Sequence, residues 1–309
     1  MSMDSRFRYE VESFLSENMV VYRISAGRIF IPDYKVVLSL VEINQGIPSV
    51  VEIISAKEGR CEVIGFCNEP KSESNSLAEL EYEFGAESRG EFAAEKGYKQ
   101  FTIYEDLWFT KGDIIRNRLL ANFGRGTGIF ARRCTVEKIS AEVAREFLEI
   151  NHLIGDARGV FRYGLFYAEE LVAVATFSAS RPINRENRVV RSYEWVRYAS
   201  KSSLRIVGGM GKLLNYFVVS EKPEEIMSYA DVDWSDGDVY RKLGFKQIGV
   251  TFPVEFYVNI ETYERIPAKK LLRDRKYRVT DNISAHVPGR YISILNSGNL
   301  KFLRSFSLF

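Results

Sequence analysis

Arg205-Ile206-Val207-Gly208-Gly209-Met210-Gly211-Lys212, followed downstream by Tyr240-Arg241-Lys242-Leu243-Gly244-Phe245, decides how this chain reads. Around these runs the segment from Tyr193 to Phe245 predicts strand, glycine-rich turn, amphipathic helix, strand and short helix. The first N–H groups of a helix have no internal partner and sit at its positive dipole end. A turn of small residues opening a helix therefore offers a place to phosphate or pyrophosphate.

Working outward, Ile129–Lys138 predicts a strand, and Ser140 caps a helix running through Ile150. Tyr163–Tyr167 and Leu171–Phe177 form a hairpin around Ala168-Glu169-Glu170. After the glycine turn come a helix Lys212–Val219, a strand Ile226–Asp231, a helix Gly237–Leu243 and strands through Lys246–Asn259. This order predicts an α/β (α+β) fold, a mixed sheet flanked by helices. Gly124-Arg-Gly-Thr-Gly128 is the clearest boundary signal and separates a smaller α/β domain, 1–124, from a domain at 129–309. In the first, Arg28–Ile31 and Lys35–Val41 flank a Pro32-Asp33-Tyr34 turn. Val50–Ile54 and Tyr98–Tyr104 are strands, Glu87–Lys96 and Thr110–Asn122 helices, and Asn68–Ser88 a polar loop.

Bulk properties bound the class. The 309 residues hold two domains of ordinary size, and 46% hydrophobic with 27% charged residues is globular. Asp4, Arg6, Arg8, Glu10 and Glu12 break the apolar pattern of a secretory signal. No apolar run approaches the roughly 20 residues that cross a bilayer. Cys61, Cys67 and Cys134 make neither a metal pattern nor an even disulfide set. A cytoplasmic location without membrane partners is expected. Basic residues exceed acidic ones from Arg181 onward, most densely in Lys269-Lys270-Leu-Leu-Arg273-Asp274-Arg275-Lys276-Tyr-Arg278. That run is either a solvated helix face or a surface for a polyanion such as nucleic acid.

The order of elements resembles the GNAT (Gcn5-related N-acetyltransferase) family, on two motifs. Arg205-Ile-Val-Gly208-Gly209-Met-Gly211 is similar to its cofactor loop, Gln/Arg-x-x-Gly-x-Gly/Ala, with the glycines shifted. Tyr240, Lys242, Gly244 and Phe245 match Tyr-x-Lys-x-Gly-Phe of its last helix. The resemblance implies an N-acyltransferase using acetyl-CoA or another acyl-CoA, with no metal. Arg205, Val207, Gly208, Gly209, Gly211 and Lys212 would hold the cofactor. A pyrophosphate needs converging N–H donors at close backbone approach, which side chains obstruct. Acyl transfer to an amine needs a polarised thioester, a neutral amine and a proton for the departing thiolate. The resemblance sets Tyr240 beside that sulfur as general acid; otherwise Tyr240 packs its helix on the sheet.

Carboxylates at the carboxyl end of Ile226–Asp231 are placed for substrate contact. Asp231 is the preferred general base or anchor, or else a turn stabiliser, with Tyr229, Asp233 and Ser235 beside it. Asp236 is one more such carboxylate or the N-cap of the Tyr240 helix. His152 lines an acceptor pocket or terminates its helix. Glu194 and Arg197 form a charged pair near the acyl end of the cofactor, or cap the sheet. His286, in a Pro/Gly-rich loop, has no catalytic part.

The run Tyr229–Phe245 further resembles a GNAT-type subfamily of phages and mobile elements, distantly similar to the phage Mom proteins that modify adenine in DNA. Ala131–Cys134, Asn151–Gly155, Val207–Gly209 and Asn296–Lys301 share in that likeness. It implies DNA, another nucleic acid or a related phage target as the amine-bearing partner. Residues 1–122 resemble a divergent PD-(D/E)xK domain, akin to very short patch repair and homing endonucleases, through Lys96–Trp108 and then Lys111, Asp113 and Arg116. Such nucleases hold Mg²⁺ on clustered carboxylates beside a lysine. Here Arg28 and Ser39 stand where acids are expected and Arg89 where the lysine is. Asp33, Glu42, Glu52 and Lys57 remain to rebuild a site, at other spacings. A binding or structural role is expected for this half. The alternatives are a catalytically inactive, nuclease-derived DNA-binding protein and a Mg²⁺-dependent endonuclease.

Overall fold

The computed structural model describes residues 6–25, 27–43, 50–53, 64–65, 97–185, 188–268 and 289–306. The helix expected at Glu87–Lys96, the loop Asn68–Ser88, Lys57, Arg89, the Glu52 side chain, the basic run from Lys269 and His286 lie outside them. The chain divides into two units: Met1–Thr110 with Phe252–Gly298, and Lys111–Thr251 with Asn299–Phe309. This differs from the division expected at residues 124 and 129. The helix Gly112–Asn122 belongs with the second unit, and Phe252–Gly298 with the first.

The first unit holds helix α1 (Arg6–Glu17) and a sheet of order β1-β2-β3-β6, made of Arg23–Ser25, Arg28–Ile31, Val36–Val41 and Lys99–Tyr104. The hairpin β2–β3 turns through a 3₁₀ segment at Pro32–Tyr34. A second sheet has the order β17-β16-β18-β4-β5. Its β4 (Val50–Ile53) and β5 (Ile64–Gly65) come from the early chain. Its β16 (Glu255–Asn259), β17 (Arg265–Pro267) and β18 (Gly289–Leu295) come from the late excursion. On α2 (Glu105–Thr110), Asp106 is fully buried and takes a bidentate pair from Arg265 at 2.6 and 2.7 Å. Glu105 accepts from Ile43 N–H at 2.7 Å and from the Tyr263 hydroxyl at 3.2 Å.

The second unit runs α3 (Gly112–Asn122), β7 (Thr127–Phe130), β8 (Thr135–Lys138), α4 (Ala141–Asn151), β9 (Phe161–Tyr167) and β10 (Glu170–Phe177). Next come β11 (Arg181–Arg185), β12 (Arg188–Ser200), β13 (Leu204–Val207), α5 (Gly209–Glu221), β14 (Glu225–Asp231), α6 (Asp238–Lys242) and β15 (Lys246–Thr251), and β19 (Asn299–Ser305) closes it. Its sheet has the order β15-β19-β14-β12-β10-β9-β8, with β11 added to β12. Only the β12–β14 pair is parallel. The strand expected over Ile129–Lys138 is broken by a 3₁₀ turn at Ala131–Arg133, which frees β7 to pair in parallel with β13. The strands expected through Lys246–Asn259 are two, β15 and β16, which belong to different units, and β19 returns between β14 and β15.

Helices cover both faces. On one, Leu213, Leu214 and Phe217 of α5 pack over Tyr163, Phe177, Trp195, Ile226 and Phe302, with the Phe177 and Phe217 rings stacked at 3.9 Å. On the other, Ala144 and Leu148 of α4 meet Val174 and Ala199. Each fully buried large side chain contributes about 1.5–3 kcal/mol relative to exposure. Ser140 caps α4 as expected, its Oγ accepting from Val143 N–H at 3.2 Å. Among the described residues no helix is long and apolar enough to cross a membrane.

Candidate active site

The site begins with a defect in β12. Opposite β10, Thr176 faces Arg197 and Phe177 faces Trp195, so Val196 is an extra residue, a β-bulge. Parallel pairing of β12 with β14 runs from Ser192–Glu225 to Trp195–Ser228 and stops there, although both strands continue. Past that rung the strands part, and their facing edges present backbone groups without ladder partners. The bulge also re-aims side chains. Tyr193, Trp195 and Tyr198 face the α5 side, so Glu194 and Arg197 both face the α4 side. Without the extra residue Arg197 would point into the core.

Tyr240 stands at this opening. Its hydroxyl lies 3.1 Å from Ser228 Oγ and 3.3 Å from the Tyr229 carbonyl, and Ser228 Oγ also lies 3.1 Å from the Trp195 carbonyl. Burial raises the Tyr240 hydroxyl above the usual tyrosine value, while the Ser228 hydrogen bond works the other way. The group therefore stays protonated and donating. Gly237 sets the entry of α6 in the left-handed region, φ 78°. A Cβ there would lie 2.2 Å from the Phe302 ring, the ring on which Tyr240 stacks at 5.0 Å. This is a physical reason for glycine three residues before the tyrosine. Asp236 precedes that glycine; the N-cap position belongs to Gly237, and Asp236 Oδ1 accepts from Asp238 N–H at 3.0 Å.

The glycine turn lies at the end of β13. Gly208 is the N-cap of α5 with φ 81°, and no side chain caps the helix. Arg205 and Val207 are exposed on β13. Gly209 is buried, and a Cβ on it would lie 2.7 Å from the Tyr198 hydroxyl and 2.8 Å from Ile206. Packing against Tyr198 thus demands this glycine independently of any ligand. Lys212 differs from its expected role: its ammonium donates to the Ala131 carbonyl at 3.0 Å and to the Cys134 carbonyl, pinning α5 to the 3₁₀ turn. From Gly211 a cleft of about 410 Å³ continues between α5 and α6, with Lys242 and Arg304 on its far wall.

On the α4 side, Asp231 ends β14 and its Oδ1 accepts from Asp233 N–H at 3.0 Å, a turn-stabilising bond. Asp233 is only 3% exposed and does not open onto the cleft. Ser235 Oγ accepts from Gly237 N–H at 3.1 Å. The Tyr229 hydroxyl contacts Met227 Sδ at 3.6 Å. Glu194 and Arg197 share a face but form no ion pair among the described residues. Arg197 instead donates to the carbonyls of Gly155 at 3.1 Å and Val196 at 3.0 Å. His152 is the C-cap of α4, and its Nδ1 accepts from Ile154 N–H at 3.2 Å. Burial, with Arg197, Arg118 and Lys111 close by, lowers its pKa to about 3. The ring is neutral and carries its proton on Nε2.

Three residues join the site that sequence reasoning did not single out. Ser228 and Tyr198 carry no motif of their own. Arg118, on α3, lies in the stretch assigned to the other half of the chain; its guanidinium sits 5.6 Å from the Trp234 ring and within electrostatic reach of Asp231. Among the described residues no group of three or more His, Cys, Asp or Glu side chains gathers to hold a metal ion. In the first unit, Asp33 is exposed, and Ser39 Oγ accepts from Gln100 at 3.4 Å.

No protein-family model matches the chain, and a search of curated proteins returns no match. Solved structures similar to it include an acetyltransferase from Bacillus subtilis in complex with CoA, at 17% identity and TM-score 0.34, over 57% of this chain and 99% of that one. A GNAT family acetyltransferase from Elizabethkingia anophelis with acetyl-CoA bound is similar at 13% identity and TM-score 0.34, over 56% and 99%. Arabidopsis thaliana Naa50 in complex with a bisubstrate analogue is similar at 12% identity and TM-score 0.34, over 56% and 99%.

Proposed function

We propose that the second unit is an acyl-CoA-dependent N-acyltransferase of the GNAT type, with acetyl-CoA as the simplest donor. The parting of β12 from β14 after the Trp195–Ser228 rung, with the Tyr240 hydroxyl at the opening, carries this reading. A pantetheine arm has amides of its own, which suit the backbone groups that have no ladder partner along that opening. The uncapped start of α5 at Gly208-Gly209 suits the diphosphate. The cleft past Gly211, walled by Lys242 and Arg304, suits the nucleotide end.

In the reaction, the amine nitrogen attacks the thioester carbonyl carbon, a C–N bond forms and the C–S bond breaks. Asp231, directly or through a water, takes the proton that the amine loses. Tyr240 exchanges its long bond to the Tyr229 carbonyl for one to the sulfur as negative charge develops there. A thiol is a stronger acid than a tyrosine of raised pKa. The hydroxyl therefore stabilises the departing thiolate by hydrogen bonding, and the thiolate collects its proton from solvent. Ser228 orients the tyrosine from the last shared rung.

Titration calorimetry with acetyl-CoA tests this reading. Binding by the intact protein, abolished by Gly208→Trp, where a side chain has room beside the turn, is the expected result; absence of binding to the unsubstituted protein overturns it. An amine in nucleic acid as the acceptor, and kinship with phage enzymes, rest on sequence alone, through the likeness of Tyr229–Phe245 and the basic run from Lys269. DNA affinity falling steeply with salt is the outcome that reading expects.

A further inference from the structure

We propose that the acceptor is an amine carrying its own oxyanion, a carboxylate or phosphate, received by Arg118 and Arg197 while its nitrogen faces Asp231. This inference rests on the transferase reading and concerns the same site. Its starting point is a pair of guanidiniums, on the α4 side of the parted strands, that no carboxylate bonds among the described residues.

Arg197 reaches that side because of the bulge at Val196, and two backbone carbonyls hold its Nε and one terminal nitrogen. Its other terminal nitrogen makes no hydrogen bond among the described residues. Arg118 is half-buried on α3 against the Trp234 ring, and among the described residues its guanidinium has no hydrogen bond or ion pair. Asp231 lies near enough to act on Arg118 electrostatically, yet outside ion-pair distance. Asp156 and Glu194 act on Arg197 in the same way.

Desolvating a guanidinium without a bonded counter-charge is costly, and an incoming oxyanion offsets that cost. Guanidinium is also the side chain whose planar fork matches carboxylate and phosphate oxygens. His152 adds to the case by staying neutral, which its cationic neighbours enforce. Its Nδ1 is engaged by Ile154 N–H, so the ring offers an Nε2 donor rather than an acceptor. The carboxylates supply the complementary half. Asp231 ends β14 next to the opening and Glu194 shares the face of Arg197, so an ammonium has acidic neighbours while its own acid group has basic ones. A zwitterion satisfies both, whereas a simple cationic amine leaves the guanidiniums uncompensated.

The test compares acid-bearing amines with their neutral counterparts: glycine against glycinamide, phosphoethanolamine against ethanolamine, AMP against adenosine. Calorimetry is run on the CoA-loaded protein, and transfer from acetyl-CoA is followed by thiol release. At least one acid-bearing member should bind ten-fold or more tightly than its counterpart. The pair that shows the preference separates a carboxylate source from a phosphate source. Arg118→Gln and Arg197→Gln should each raise the Kd and KM for that acceptor about ten-fold, leaving CoA affinity unchanged, and Arg118→Lys should recover part of the loss. Unchanged CoA affinity also shows that the variants fold. If CoA binds but no acid-bearing amine is preferred, or the arginine variants bind it as the unsubstituted protein does, the inference fails while the transferase reading stands. If CoA itself does not bind, both fall.

Discussion

Ser228 Oγ sits 3.1 Å from the Tyr240 hydroxyl and 3.1 Å from the Trp195 carbonyl, so one serine joins the proposed catalytic tyrosine to the last rung on which β12 and β14 still meet. Tyr240→Phe keeps the ring stack on Phe302 and removes only the donor. We expect kcat for acyl transfer to fall about 10²-fold, the lower end for removing one hydrogen-bond donor from a developing negative charge, with acetyl-CoA affinity unchanged by calorimetry. Ser228→Ala should cost less, roughly ten-fold, because the tyrosine keeps its bond to the Tyr229 carbonyl.

The two glycines at the start of α5 answer to different constraints. A methyl group on Gly208 has room, its nearest neighbour being the Ala131 Cβ at 3.8 Å, so Gly208→Ala meets only the left-handed backbone, a penalty of about 1–2 kcal/mol. Gly209→Ala drives into Tyr198 and Ile206 and should cost about 1–3 kcal/mol by overpacking. Tyr198→Phe in the Gly209→Ala background removes the clashing hydroxyl and should recover part of the loss. It should recover nothing in the Gly208→Ala background. Urea midpoints of the four variants distinguish the two cases.

His152 gives the fold an acid sensitivity. Its pKa in the folded protein is about 3, below the ordinary histidine value of 6.5, so the unfolded chain binds the extra proton first as pH falls. The stabilisation it contributes is complete above 6.5 and is lost progressively between 6.5 and about 3. Between pH 7 and 5.5 the loss should be roughly 1 kcal/mol. His152→Gln should flatten that part of the stability–pH curve measured by urea unfolding. An unchanged slope would assign the acid sensitivity to other groups.

In the first unit, Asp106 is wholly buried and bound on both oxygens by Arg265. Breaking such a pair strands a charge in a dry place. Asp106→Asn should therefore cost about 3–5 kcal/mol. Replacing both partners with apolar residues of similar volume should cost less than either single change, and a double-mutant cycle on the urea midpoints measures the difference.

Much of the second unit was legible from local pattern. The hairpin Phe161–Phe177, the capped helix Ala141–Asn151 and the run from glycine turn to Tyr240 helix follow periodicity and punctuation, and all are present. What the sequence hid was non-local. Nothing in Asn299–Ser305 announces that it slots between β14 and β15, since strand order is set by packing between distant segments. The bulge at Val196 has no glycine or proline to mark it, yet it decides which face Arg197 serves. Lys212 was placed in the cofactor loop by the family resemblance; its bonds to the Ala131 and Cys134 carbonyls needed the 3₁₀ turn that interrupts an otherwise strand-like run. Arg118 was passed over because a glycine-rich linker after Asn122 drew the boundary on the wrong side of its helix.

Thr251 and Asn299 are cross-strand partners on β15 and β19, so the chain departs and comes back at a single point. The order of the gene is thus not the order of the parts. A cut at residue 124 would deprive the first unit of three strands and leave them as a passenger on the other fragment. A stand-alone version of the second unit calls for excising residues 252–298 and sealing the gap with a tight turn. Its counterpart calls for grafting those residues onto the early segment, a rearrangement that simple truncation cannot produce.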